Sequence, residues 1–216
     1  MINIIKYWFL ATRPKTLVVG ACPVLLGAYL SWQSFPPHYL SLFITLLTAL
    51  LIQIGTNLAN DYFDYMKGAD TDERQGPERF TQSGKISPNA MKWGFILCFA
   101  MAFVFGLYLC YRGGWVILAI GLISIAMGVL YTASSYALAY TGFADPIAFL
   151  FFGPIPVAGT YYLQSLRFNT EALILGAALG CFSVAILTVN NVRDLYSDAK
   201  SNKMTLVVRF GKLFGI

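Results

Sequence analysis

Long apolar stretches alternate with short polar ones along nearly the whole chain. No Asp, Glu, Lys or Arg occurs between Lys15 and Asp61, and only the turn-like QSFPPH around Pro36, Pro37 and His38 interrupts that region. Between Gly113 and Ala144 there is again no charge, with the polar Ser134, Ser135, Thr141 and Gly142 marking a loop inside it. Stretches near the ~20 residues that cross a hydrocarbon core are expected to be membrane helices. Six are predicted, at about Leu10 or Thr16 to Trp32, Leu40 to Ala59, Trp93 to Tyr111, Trp115 to Tyr131, Asp145 to Leu163, and Ala172 to Asn191. The glycines and Pro23 in the first are tolerated better in membrane helices than in soluble ones.

Composition agrees with the pattern. Hydrophobic residues make up 57% and charged residues 12%, with a mean hydropathy of +0.64, well beyond what a soluble domain of this length requires. The expected architecture is an all-α, polytopic transmembrane helical bundle forming one domain over residues 1–216. The start, MINIIKYWFLATRPKT, lacks a small-residue cleavage site, so a removable secretory signal is not expected. Cys22, Cys98, Cys110 and Cys181 lie in or at the ends of apolar runs without paired spacing and read as small core hydrophobes. His38 sits in a turn and carries no ligand signal.

Charge adds orientation. With the N-terminus inside, Lys6, Arg13, Lys15, Lys67, Arg74, Arg79, Lys85, Lys92, Arg193, Lys200, Lys203, Arg209 and Lys212 fall on inner segments, and only Arg112 and Arg167 fall outside. This bias predicts a cytoplasmic N-terminus. The net charge of +5 is accounted for by anionic lipid and a phosphorylated substrate, so no nucleic-acid partner is expected.

Two acidic clusters then stand out, each at the foot of an apolar run. The first, NLANDYFDYMKGADTD, packs Asp61, Asp64, Asp70 and Asp72 into a short stretch. On a continuing helix Asn57, Asn60, Asp61 and Asp64 share about a third of a turn. The second, NNVRDLYSD, places Asp194 and Asp198 four apart, on one face of a helix. Topology puts both clusters on the inner side, although the spans were placed by apolarity alone. Oxygen ligands of this kind suit Mg²⁺, which one or two carboxylates hold together with substrate phosphates. Lys and Arg follow each cluster closely, as a diphosphate requires. A solvated, helix-capping role is the plainer account of either cluster alone.

NDYFDYMKGADTDER, GPERFTQSGKIS and NNVRDLYSDAKSNKMTL resemble the two aspartate-rich motifs of the UbiA superfamily of intramembrane prenyltransferases. The early RPKTL and the central YTASSYALAYTGFADPIAFLFFGPIPVAGTYYLQ are similar to its MenA branch, which acts on 1,4-dihydroxy-2-naphthoate. The likeness spans essentially the whole chain. Asn60, Asp61 and Asp64 match the opening of the first motif, N-D-x-x-D-x-x-x-D; Gly68 stands at its third aspartate, with Asp70 the nearest substitute. Asp194 and Asp198 match the second.

The resemblance implies that Asn60, Asp61, Asp64, Asp194 and Asp198 hold Mg²⁺ on a polyprenyl diphosphate. It implies that basic residues grip the phosphate, with Arg79 and Lys203 favoured by position, and Asn57 and Asp70 assisting. Arg13 either anchors the inner surface or reaches the diphosphate. The expected reaction transfers the polyprenyl group to 1,4-dihydroxy-2-naphthoate with loss of diphosphate and CO₂. Asp64, Asp194, Asp198 and Tyr131 are the expected catalytic residues, with Tyr136 and Tyr140 as further aromatic candidates to face an allylic cation. Asp145 serves either the acceptor or as a helix cap before Pro146. Relatives usually have nine spans, so a C-terminally truncated domain is expected. Another aromatic acceptor, or a cation transporter whose acids line a path, are the alternatives; acids at span ends favour surface chemistry.

Overall fold

The computed structural model describes residues 2–68, 77–133, 140 and 142–216. Among the described residues every regular element is helical. In chain order these are α1 (Ile2–Ala11), α2 (Pro14–Trp32), α3 (Tyr39–Met66), α4 (Pro88–Gly113), α5 (Trp115–Leu130), α6 (Ala144–Phe151), α7 (Pro154–Ser165), α8 (Thr170–Arg193), α9 (Leu195–Lys200) and α10 (Leu206–Phe210). A 3₁₀ turn at Lys212–Gly215 follows.

Five segments are long and apolar enough to span a bilayer: α2, α3, α4, α6 with α7, and α8. Helix α5 has only 16 residues, about 24 Å at 1.5 Å per residue, a little short of the ~30 Å hydrocarbon core. Its connections nevertheless make it a crossing. Only Gly114 separates it from the end of α4 at Gly113, and Thr132, just past its other end, donates its hydroxyl to Asn60 far along α3. Six crossings result among the described residues. Large apolar side chains such as Val104, Ile174, Phe182 and Val189 point outward from these helices and stay exposed, a surface suited to lipid and not to water.

Local chemistry sets the boundaries. Ser87 caps α4 by accepting from the Ala90 N–H, and Pro88 occupies the first helical position, where its missing N–H costs nothing. Asn169 caps α8 through two N–H groups. His38 caps α3, its Nδ1 accepting from Ser41 N at 3.1 Å.

Three boundaries differ from expectation. Chain before Pro14 disfavours right-handed helix; Arg13 turns left-handed (φ 53°, ψ 69°), and the stretch ahead of it becomes a separate helix, α1. The fifth span is broken at Phe152–Gly153. A Cβ on Gly153 would come within 2.6 Å of the Gly176 carbonyl oxygen and 2.7 Å of Gly180 Cα on α8, so the break lets main chain pack on main chain, and Pro154 restarts the helix. The second acidic cluster does not lie on one helix: α8 stops at Arg193, Asp194 has turn geometry (φ −92°, ψ 7°), and α9 starts after it.

The bundle has two differently built ends. At one, Gln164 Oε1 accepts from Trp32 Nε1 (3.1 Å) and His38 N (2.9 Å), and its Nε2 donates to the His38 carbonyl (3.2 Å). Arg112 donates to the carbonyls of Leu163 and Gln164 at 2.6 and 3.1 Å, a cation at the C-terminus of α7. At the other end Leu58, Ala59, Phe80, Ile86, Met91, Phe95 and Phe99 form the principal apolar core, and Trp8 of α1 covers Gly94. The cysteines are free thiols, but Cys22 and Cys181 are exposed on helix surfaces, a correction to the expected core placement.

Candidate active site

Helix α3 carries the first cluster intact to the core end. Asn57, Asn60, Asp61 and Asp64 are all buried, and the shared face expected from helical spacing is present. Each engages a different partner. Asn57 Nδ2 donates to the Thr12 carbonyl and to Thr16 Oγ1, both at 2.9 Å, tying α3 to the junction of α1 and α2. Asn60 Oδ1 accepts from Thr132. Asp61 accepts two main-chain N–H groups, from Phe80 at 3.0 Å and Thr81 at 3.1 Å. Asp64 pairs with Arg79, Nη2 to Oδ2 at 2.5 Å, with both side chains largely buried.

The second cluster supplies a similar grouping. Asp194 takes a forked pair of bonds from Arg193, at 2.8 and 2.7 Å. Lys203 Nζ lies 3.3 Å from Asp198 Oδ1. The Asp198 N–H donates to the Asp194 carbonyl at 2.8 Å, so the turn at Asp194 still presents both acids together, and both are buried.

Tyr140 joins the two groups. Its hydroxyl donates to Asp64 Oδ1 at 3.4 Å, and its carbonyl accepts from Met204 N at 3.3 Å, next to Lys203. Lys67 stands 4.7 Å from the centre of the Tyr140 ring and donates to the Thr132 carbonyl. Tyr131, just past α5, lies within the same field. Burial first, then the charges of Asp145, Asp64 and Asp198, push its phenol well above the ordinary value, with Arg13 opposing. Burial lowers the Lys67 ammonium from its ordinary value, and the Asp64 charge offsets part of that.

Asp145 is the second residue of α6, not its cap; the cap position belongs to Phe143. Its carboxylate is buried, and Oδ2 has no hydrogen-bond partner among the described residues. Thus Arg13, Asp64, Tyr131, Tyr140, Asp145 and Asp198 share one electrostatic neighbourhood, with Arg79 and Lys203 held against its carboxylates. Asp70 and Tyr136 lie outside the described residues. Lys67 is one of the bases that the sequence places directly after the first cluster, three residues past Asp64; Thr132 carries no such signal, because its bond to Asn60 joins residues far apart in the chain.

Among the described residues no group of three or more Asp, Glu, His or Cys is close enough to cage one ion. The carboxylates of Asp64, Asp194 and Asp198, each beside a cation, suit a metal completed by phosphate oxygens more than an all-protein cage.

The UbiA prenyltransferase family model matches residues 21–215. The chain belongs to that family. Its UbiA relatives include the 1,4-dihydroxy-2-naphthoate octaprenyltransferase of Haemophilus influenzae, 36% identical over 98% of this chain and 71% of that protein. The protein of the same description from Mycobacterium tuberculosis is 35% identical over 94% of this chain and 70% of its own length. A solved structure described as digeranylgeranylglyceryl phosphate synthase in membranes superposes with a TM-score of 0.67, covering 99% of this chain and 71% of that one at 20% identity, a likeness of fold alone.

Proposed function

We propose that this chain transfers a polyprenyl group from polyprenyl diphosphate to 1,4-dihydroxy-2-naphthoate, with release of diphosphate and CO₂, a step of menaquinone synthesis. The observation that carries the reading is the bridge at Tyr140, which brings two acid and cation groups from distant parts of the sequence to one end of an apolar bundle. The naphthoate relatives support the choice of acceptor.

Arg79, Lys203 and Arg13 bind the diphosphate oxygens, and the prenyl tail lies along the apolar helices. Mg²⁺ fits the donor set: Asp64, Asp194 and Asp198 would hold it with the phosphate oxygens, where it would neutralise charge on the leaving group. The allylic carbon–oxygen bond breaks with its electron pair leaving on the diphosphate. Arg79 and Lys203 stabilise that developing charge. A tyrosine phenol is neutral near neutral pH and burial pushes the ionisation of Tyr131 further up, so its ring offers a π face to the cation without a competing phenolate nucleophile. The acceptor ring attacks through the carbon that bears its carboxylate; CO₂ then departs and leaves its bonding pair on the ring. Asp145 accepts a hydrogen bond from an acceptor hydroxyl, which orients the ring and raises its electron density. The basic residues at this end support a site that faces the cytoplasm.

A cation path fits less well. Among the described residues the acids of α3, α6 and α8 stand near helix ends, with none at mid-span. The test is transfer by the purified chain in lipid nanodiscs, with polyprenyl diphosphates of several lengths, a panel of aromatic acceptors and Mg²⁺, read by mass spectrometry. Prenylated, decarboxylated naphthoate is expected; product from another acceptor only, or ion flux without product, would reject the reading.

A further inference from the structure

Asp61 matches a motif position from which metal binding is expected, yet its surroundings describe another task. It is 3% exposed, and each carboxylate oxygen accepts one main-chain N–H: Oδ2 from Phe80 at 3.0 Å and Oδ1 from Thr81 at 3.1 Å. Arg79 is the residue immediately before that pair. Its guanidinium meets Asp64, one helical turn beyond Asp61. Two carboxylates one turn apart on α3 therefore grip three consecutive residues of the loop between α3 and α4.

The loop is built to transmit that grip. Ser83 N donates to the Arg79 carbonyl, Gly84 N to the Thr81 carbonyl and Ile86 N to the Phe80 carbonyl, at 3.0, 3.1 and 3.0 Å. Gly84 takes the left-handed conformation (φ 68°) that the turn needs. Phe80, Thr81 and Ile86 are almost wholly buried, and the Phe80 ring packs 6.0 Å from that of Tyr7 on α1. A carboxylate receiving two buried amide bonds is strongly held, and withdrawing one would orphan main-chain donors inside the core.

We propose that Asp61 is a positioning residue: it fixes the Phe80–Thr81 main chain so that Arg79 is presented beside Asp64 to the diphosphate, and it does not ligate metal. The proposal rests on the diphosphate role given above to Arg79. Asp61 thus acts through Arg79, and the motif's two opening acids divide between a loop clamp and a site carboxylate.

The test compares the parent chain with Asp61→Asn, Asp61→Ala, Arg79→Ala and the Asp61→Ala/Arg79→Ala double variant in nanodiscs, after size-exclusion chromatography confirms folding. Asp61→Asn keeps one acceptor oxygen and covers the case in which Asp61→Ala does not fold. Three readouts are taken: donor KM, half-saturating Mg²⁺ at saturating donor, and hydrogen exchange at the amides of 80 and 81. The expected result is a donor KM raised roughly tenfold, as for loss of one charge-assisted contact, with Mg²⁺ half-saturation within about twofold of the parent. Exchange at 80 and 81 accelerates, and removing Arg79 from the Asp61→Ala chain adds little. Asp61→Asn falls between. A large rise in the Mg²⁺ requirement with unchanged exchange, or effects of Asp61 and Arg79 that multiply, would overturn the proposal. If Arg79→Ala leaves donor KM unaltered, the diphosphate role of Arg79 fails, while the exchange data still judge the clamp.

Discussion

Replacing Gln164 by Leu tests whether the end of the bundle remote from the acids is structural only. Gln164 is 4% exposed and makes three side-chain bonds, accepting from Trp32 and from His38 N and donating to the His38 carbonyl. Leu is close in size but offers no polar atom, so one carbonyl and two N–H groups lose their partner. Each such group costs about 1–3 kcal/mol when sealed from water; Trp32 and His38 are only half-buried, which puts the total near 3 kcal/mol at the low end of that range. The two bonds from Arg112 go to main-chain carbonyls and survive the change. For a chain of this length the expected fall in apparent melting temperature is about 6–12 °C, measured in detergent by fluorescence during heating. Gln164→Glu retains both acceptor contacts but seals a carboxylate against the His38 carbonyl, so a fall at least as large is expected. Donor KM in nanodiscs should stay within about twofold of the parent. An unchanged melting temperature in Gln164→Leu would refute the hydrogen-bond reasoning, and a large KM change would show that the two ends are coupled.

Further outcomes concern the site and its frame. Asp64→Ala and Asp194→Ala should each lower transfer by about 100-fold or more while the protein remains folded by size-exclusion chromatography, as for loss of a charged group acting on the transition state; unchanged turnover in both would remove the site assignment. Chelation by EDTA should abolish product formation, Mg²⁺ should restore it and Ca²⁺ should restore it poorly, because Ca²⁺ prefers more ligands at longer distance; full activity after chelation would exclude the metal. Gly153→Val should destabilise by about 1–3 kcal/mol through overpacking against α8, read as a lower melting temperature; an unshifted melt would contradict the close approach.

What could be read from sequence was whatever depends on near neighbours or on summed apolarity. Six crossings and the shared buried face of Asn57, Asn60, Asp61 and Asp64 follow from runs and periods. The break before Pro14 was half-visible, since proline restricts the residue before it, but that Arg13 would adopt a left-handed turn was not. Contacts across the fold were hidden. Nothing near Gly153 announces that Gly176 and Gly180 will sit against it, and periodicity therefore drew one helix where there are two. Asp61 looked like its neighbour Asp64 because both are aspartates in one motif; their difference lies in partners 15 to 20 residues later in the chain. Asp145 read equally well as a cap or a site residue, and only its placement as the second residue of α6, after the Phe143 cap, removes the first of these.

The counter-charges of the acidic groups also bear on synthesis. Asp64 meets Arg79 fifteen residues on, Asp198 meets Lys203 five residues on, and Asp194 meets Arg193 next door. A nascent helix entering the translocon thus brings its own neutralising partner within a short length of emerging polypeptide. These three carboxylates do not have to wait, unbalanced in the bilayer, for the ribosome to finish a distant part of the chain.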